Sequence, residues 1–187
     1  MVQDGSNVAG ELSPDDVRKW EELWGFVNSD HYACFYEEAV AEFLVSRWRL
    51  VDTIFKFLMS ASASGSTIAG WAIWSGSNVG KTAWTIASGL TALIALIHTS
   101  LGISDRIRED TLIFATFQQL RLDLEIMKRK MRLGQRQTLS EYLMDYMDVS
   151  SKFQKAFSLK RPDFLLSYGR AVKIQADVNK RLGLQPS

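Results

Sequence analysis

The stretch FLMSASASGSTIAGWAIW, residues 57–74, and the stretch AWTIASGLTALIALIHTSLGI, residues 83–103, contain no Asp, Glu, Lys or Arg. Elsewhere charge is frequent, since charged residues make up 23% of the whole chain. As α-helices the two stretches would be about 27 and 31 Å long, which matches the roughly 30 Å hydrocarbon core of a bilayer. The sequence therefore predicts a helical hairpin that crosses a membrane twice.

Tryptophan and arginine residues flank this predicted hairpin in the pattern that membranes favour. Trp48 precedes the first span, and three tryptophans surround the connecting loop at residues 75–82: Trp71, Trp74 and Trp84. Lys81 is the only charged residue of the loop, whereas five arginines lie beyond the outer ends of the spans: Arg47, Arg49, Arg106, Arg108 and Arg121. Because Lys and Arg are enriched on the cytoplasmic side, the sequence predicts that both termini lie in the cytoplasm and the loop outside.

Polar side chains near the spans are expected to find partners. Asp52 and Lys56 are four residues apart on one helical face, a spacing that predicts an ion pair at the cytoplasmic interface. His98 lies inside the second span, where a charged imidazole would be costly. We therefore expect His98 either to be neutral and hydrogen-bonded across helices or to face water.

A soluble helical bundle is the alternative to the membrane hairpin. Hydrophobic residues make up 47% of the chain and its mean hydropathy is −0.06, values that a soluble protein also reaches. In such a bundle the two uncharged segments would be buried core helices.

The sequence contains little that resembles a catalytic or cofactor site. His31 and His98 have no Cys, Asp or Glu at metal-ligand spacing, and no nucleophile–base pair is apparent, so we expect neither an enzyme nor a cofactor. The segment from Gly76 to Lys81 has three residues between its glycines, whereas a phosphate-binding loop needs four.

The charge balance and the cysteine count exclude two further classes. With 22 basic and 21 acidic residues, no nucleic-acid partner is expected. The single cysteine, Cys34, excludes an internal disulfide.

Helical patterns fill the rest of the chain and predict an all-α fold in three parts. Residues 1–56 are expected to form cytosolic helices, residues 57–103 the transmembrane hairpin, and residues 104–187 a cytosolic helical bundle. The N-terminus is polar and lacks the apolar region of a signal peptide, so the first span is expected to act as its own insertion signal. Ser13 and Pro14 predict a helix start, residues 28–30 (Asn-Ser-Asp) a break, and His31 the start of a second, amphipathic helix.

In the C-terminal part, one long helix carries an apolar seam with 4-3-4-3-4 spacing. Its members are Ile113, Phe117, Leu120, Leu124, Met127 and Met131. Such a heptad pattern predicts burial against the later helices or against another subunit. Thr138 and Glu141 predict a capping box that opens the next helix. The residues of this helix expected to face inward are Leu139, Leu143, Tyr146, Met147, Phe153 and Phe157. A last helix is predicted over residues 163–182.

Small residues recur at four-residue intervals in both predicted spans. The helix-packing and pore candidates are Ala61, Gly65, Ala69 and Gly70 in the first span and Ala87, Thr91, Ala95 and His98 in the second. Faces of this kind let helix backbones approach closely. They either close the hairpin on itself or also pack neighbouring subunits and line a polar path, and the pattern alone leaves both interpretations open.

The layout of the chain resembles a family. An N-terminal amphipathic helix, the segment at residues 64–74 (SGSTIAGWAIW), a Trp-led second span and a long charged helix are similar to the SLATT-type two-helix membrane proteins of prokaryotes. The resemblance implies an effector of bacterial conflict or antiphage systems that oligomerises and permeabilises the inner membrane when a partner, often through a nucleotide signal, senses infection. We therefore expect a lipid bilayer, further copies of this chain and a sensor protein as partners.

The sequence thus predicts a membrane-perturbing, pore-forming effector that acts by oligomerisation. Two alternatives remain. The first is a non-conducting membrane anchor or scaffold for a cytosolic partner, and the second is the soluble helical bundle.

Overall fold

The chain folds into α-helices throughout the part that the structure describes. The structure is a computed structural model, and it describes residues 13–67, 78–133, 138–160 and 162–184. Its helices are α1 (Pro14–Thr67), α2 (Asn78–Ser100), α3 (Ile103–Arg132), α4 (Leu139–Ser158) and α5 (Tyr168–Arg181). No strand occurs within those described ranges, so the predicted all-α class is confirmed.

Helix α1 is a single helix of 54 residues, about 81 Å long. It begins as predicted, because the Ser13 hydroxyl accepts a hydrogen bond from the Asp16 backbone N–H at 3.4 Å. The predicted break at residues 28–30 is wrong, since the helix continues through them. Neither Gly nor Pro is present there, and Val27 and Cys34 on either side are both fully buried, so packing outweighs the weak helix propensity of three polar residues.

Helix α4 begins with the predicted capping box. The Thr138 hydroxyl accepts from the Glu141 backbone N–H at 3.4 Å, and the Glu141 carboxylate accepts from the Thr138 N–H at 2.8 Å. The predicted inward face of this helix is right in part, since Leu139, Tyr146 and Phe153 are half-buried, but the other three residues given for it are exposed: Leu143, Met147 and Phe157. The buried residues recur every seven positions at Tyr142, Val149 and Ala156. The Tyr142 ring packs edge-on against Trp20 at 5.1 Å between centroids, and this tertiary contact fixes which side of α4 faces the core.

The chain divides into two compact units, each with its own buried residues. The first unit comprises Met1–Glu38 and Ala115–Arg161. Its core contains four of the six predicted seam residues: Phe117, Leu120, Leu124 and Met127. They are buried within a single chain, while Ile113 and Met131 are half-buried. Their role in a seam between subunits stays a prediction. The division of the chain into residues 1–56, 57–103 and 104–187 also stays a prediction.

The second unit comprises Ala39–Phe114 and Pro162–Ser187. Its core includes Trp48 and Ile103, each only 1% exposed. Trp48 was predicted to lie at a membrane interface, and the structure places it in the core instead. Ile103 was predicted to end the second span, but the apolar helix α2 ends before it, at Ser100. The turn between α2 and α3 is made by Gly102, whose φ of 55° lies in the left-handed region that a glycine adopts without strain.

The last helix starts later than predicted. Residues 163–167 form an irregular turn in which the Asp163 carboxylate accepts a hydrogen bond from the Leu165 N–H at 2.7 Å. A side chain that bonds the backbone two residues further on favours a turn over a helix. Helix α5 therefore begins at Tyr168, which is 87% exposed, whereas Val178 is buried.

Candidate membrane-facing site

One segment of the described chain is long and apolar enough to cross a membrane. It lies within Gly89–Arg132 and contains an 18-residue window with a mean hydropathy of 1.2. Only 6% of that window is buried inside the structure. The core helix of a soluble protein reaches a similar hydropathy but is mostly buried. The window covers the C-terminal part of α2, the turn at Gly102 and the start of α3, and it is mostly exposed.

Large apolar side chains are exposed on both helices that form the predicted hairpin. Their exposed fractions range from 40% to 71%, and they are Leu50, Ile54, Phe57 and Leu58 on α1 and Ile86, Leu90, Leu93, Leu96 and Ile97 on α2. A soluble monomer seldom displays so many large aliphatic groups on neighbouring turns.

Helix α2 has three faces of different character. At 100° per residue, the half-buried residues Thr91, Ile94, Ala95 and His98 share one face. A second, exposed face consists of large aliphatic residues: Ile86, Leu90, Leu93 and Ile97. The third face, also exposed, contains Gly89, Ala92 and Leu96, and a Cβ added at Gly89 would meet no atom within 4 Å.

The half-buried face of α2 contacts α1 through His98. Its Nε2 atom lies 3.2 Å from Oδ1 of Asp52, and its ring lies 5.6 Å from that of Phe55. The other Asp52 oxygen accepts from the Lys56 ammonium at 2.6 Å, so the predicted Asp52–Lys56 pair is present. The hydrogen bond from Lys56, with a further one from His98, holds the pKa of Asp52 below its usual value.

The remaining small-residue candidates are described only in part. Thr91 and Ala95 lie with His98 on the half-buried face, which favours packing within the hairpin for that part of the pattern. Ala61, Gly65 and Ala87 lie in helices, but their surroundings fall outside what the structure describes. Ala69 and Gly70 lie outside the described residues altogether, as do Trp71 and Trp74.

A polar cluster in the second unit was not predicted from the sequence. The Trp48 indole N–H donates to Asp163 at 2.8 Å, and the Arg106 guanidinium lies 3.5 Å from the same carboxylate oxygen. Arg106 also covers the Trp48 ring, at 5.2 Å from its centroid. The members come from α1, α3 and the turn before α5, more than 50 residues apart in sequence, so no local spacing indicates them.

Asp110 lies beside this cluster with one buried carboxylate oxygen that has no hydrogen-bond partner among the described residues. Burial, reinforced by the negative charge of Asp163, raises the pKa of Asp110 to about 6 despite the opposing effect of Arg106. Within the described residues, no group of three or more His, Cys, Asp or Glu side chains is placed to hold a metal ion.

No family model, characterised protein or solved structure matches this chain.

Proposed function

We propose that this protein is a two-span membrane protein whose hairpin consists of α2 and the C-terminal part of α1. The observation that carries the proposal is the exposure of the large aliphatic side chains of α2, which are 40% to 66% exposed: Ile86, Leu90, Leu93, Leu96 and Ile97. Burying apolar surface is worth about 25 cal/mol per Å², so a row of exposed leucines and isoleucines favours any environment that removes it from water. A bilayer supplies that environment along the whole length of a 23-residue helix.

The polar contacts of the second unit indicate which part of this hairpin lies at the membrane interface. Asp52, Lys56 and His98 form an ion-paired group at the end of the helix pair that adjoins the folded part of the unit. Charged groups of this kind are stable at a membrane interface, where Lys stems extend toward water. The arginines on the same side favour cytoplasmic termini.

The hairpin is proposed to act as a membrane-perturbing effector. In α2 the aliphatic face suits lipid, and Gly89 with Ala92 allows a helix from another subunit to approach on the third face and to pack against Leu96 one turn further along. Assembly through this face would bring several hairpins together and make the bilayer leak. The resemblance to SLATT-type proteins is the second support for this role.

Membrane potential in expressing cells tests the effector role. Gly89→Leu places a bulky side chain on the small-residue face, and its fold is expected to be intact because the added atoms meet open space. Leu93→Phe, on the aliphatic face, is the matched control. Wild type and Leu93→Phe are expected to depolarise the membrane on activation, and Gly89→Leu is not.

A non-conducting membrane anchor is the second candidate. It is favoured by the half-buried face of α2, where Thr91 and Ala95 lie with His98 and where the packing candidates serve contacts within the hairpin. A wild-type protein that inserts and never depolarises the membrane, with any partner present, would replace the effector with this anchor.

A further inference from the structure

An open groove with a volume of about 650 Å³ lies between α1 and α5 in the second unit. Helix α1 contributes Glu42, Phe43 and Arg47 to its walls, and α5 contributes Arg170 and Lys173. Farther along α5, Asp177 and Arg181 complete the lining and pair with each other at 2.8 Å.

Two guanidinium groups share one aromatic ring in this groove. The Arg47 guanidinium carbon lies 5.2 Å from the centroid of Phe43, and that of Arg170 lies 5.7 Å from the same centroid. Arg170 donates one of its five N–H groups to the Leu165 carbonyl oxygen at 2.8 Å, which fixes its position and leaves donors available. Both guanidinium groups therefore lie on the wall of the same groove, next to the same ring.

The carboxylates of the groove leave this end positively charged. Asp177 is neutralised by Arg181, so Glu42 is the one acid that opposes Arg47, Arg170 and Lys173. Within the described part of the chain, neither Arg47 nor Lys173 has a carboxylate within ion-pair distance. The charge balance therefore favours an anionic ligand.

The position of Arg47 on α1 indicates where such an anion comes from. Leu50, three residues further along the helix and about 4.5 Å higher, is half exposed, and Ile54 continues the apolar surface toward the span. If the hairpin lies in a bilayer, the groove opens at the depth of the lipid headgroups. Basic side chains at this depth attract anionic lipid.

We propose that Arg47 and Arg170, with Lys173 beside them, bind the phosphate of an anionic lipid headgroup. The planar guanidinium groups can donate two hydrogen bonds each to phosphate oxygens, and both groups contact the ring of Phe43. This inference rests on the proposed membrane location, and it assigns the groove to lipid instead of to a soluble phosphate compound.

Thermal unfolding of the detergent-solubilised full chain tests the site. Short-chain phosphatidylglycerol, at about ten times its dissociation constant, is expected to raise the wild-type Tm by about 4 °C. The zwitterionic phosphatidylcholine of the same chain length is expected to leave it unchanged. Arg47→Gln and Arg170→Gln should lose the shift, whereas Arg49→Gln, an exposed arginine outside the groove, should retain it.

Three outcomes would overturn the proposal. The first is a phosphatidylglycerol-induced Tm shift that is as large in the groove variants as in wild type. The second is a wild-type Tm shift with phosphatidylcholine as large as that with phosphatidylglycerol. The third is an equally large Tm shift with inorganic phosphate, which would indicate a soluble ligand. Lipid retention measured by native mass spectrometry gives the same comparison for a variant whose basal Tm is lowered. If wild type resists carbonate extraction but its Tm does not respond to phosphatidylglycerol, the groove proposal alone fails. If wild type is released by carbonate, the proposed function fails.

Discussion

His98 and Asp52 connect α2 to α1, with 3.2 Å between Nε2 and Oδ1. The two residues are 46 positions apart, and both side chains are mostly buried. Asp52 is held from its other side by Lys56, so the histidine is the third member of a group that spans both helices of the proposed hairpin. His98 therefore has a partner in the folded chain, as expected for a histidine that is hydrogen-bonded across helices.

The His98–Asp52 contact is predicted to stabilise the hairpin by about 0.6 kcal/mol, the usual coupling of interhelical hydrogen bonds in membranes. A double-mutant cycle of His98→Ala and Asp52→Asn, followed by thermal unfolding in detergent, measures it. Because the pKa of Asp52 is lowered in the folded state, its contribution is present above its ordinary value near 3.8 and is lost as the pH falls below that value. Asp145→Asn, at an exposed position, is the control, and a coupling of zero at pH 7 would contradict the prediction.

Leu124 and Ile126 are two residues apart on α3 and are expected to respond differently to the same substitution. Leu124 is fully buried, so Leu124→Asp places an unpaired charge in the core and should lower the free energy of unfolding by about 4 kcal/mol. Ile126 is 53% exposed, and Ile126→Asp should change it by less than about 0.5 kcal/mol. Urea unfolding followed by circular dichroism makes the comparison. Equal losses in both variants would mean that the two faces of α3 are equally buried.

These comparisons indicate how far the sequence determines the fold. The Thr138 capping box and the Asp52–Lys56 pair were predicted correctly because their partners are three and four residues apart on one helix. The buried face of α4 and the burial of Trp48 were not, because both depend on contacts with distant segments, at Trp20 and at Asp163 respectively. The basic groove was missed for the same reason, since Arg47 and Arg170 meet only on the ring of Phe43.

Asp110→Asn is predicted to alter the pH dependence of stability. The folded state raises the pKa of this carboxyl from 3.8 to about 6, so the folded chain binds the proton more tightly than the unfolded chain. The corresponding stability is present below pH 3.8 and is lost as the pH rises through about 6. At pH 8 the Asn variant should be more stable than wild type by about 1 kcal/mol, a value discounted for partial exposure of the carboxyl.

Thermal unfolding at pH 8 and pH 4 tests this difference, which should shrink at the lower pH. Asp145→Asn, at an exposed position, is again the control variant. An Asp110→Asn variant that is less stable than wild type at pH 8 would show that the ionised carboxylate has a favourable partner.

Cys34 is predicted to be an unreactive thiol in the folded protein. Burial, together with the nearby charge of Asp30, raises its pKa to about 12, which lowers the thiolate fraction about a thousandfold from that of an ordinary cysteine. Reaction with an aromatic disulfide reagent should be slow in native conditions and fast in denaturant. A cysteine introduced at the exposed Ser151 in a Cys34→Ser background is the control, and comparable native rates at the two positions would contradict the burial of Cys34.

Resistance to alkaline carbonate extraction tests the membrane location most directly. Washing with carbonate at high pH strips peripheral proteins and leaves proteins that are inserted through the hydrocarbon core. Because the apolar surface of α2 is open to its surroundings, we predict that the protein stays in the membrane pellet and leaves it only when detergent is added. Recovery of the protein in the carbonate supernatant without detergent would contradict the two-span account.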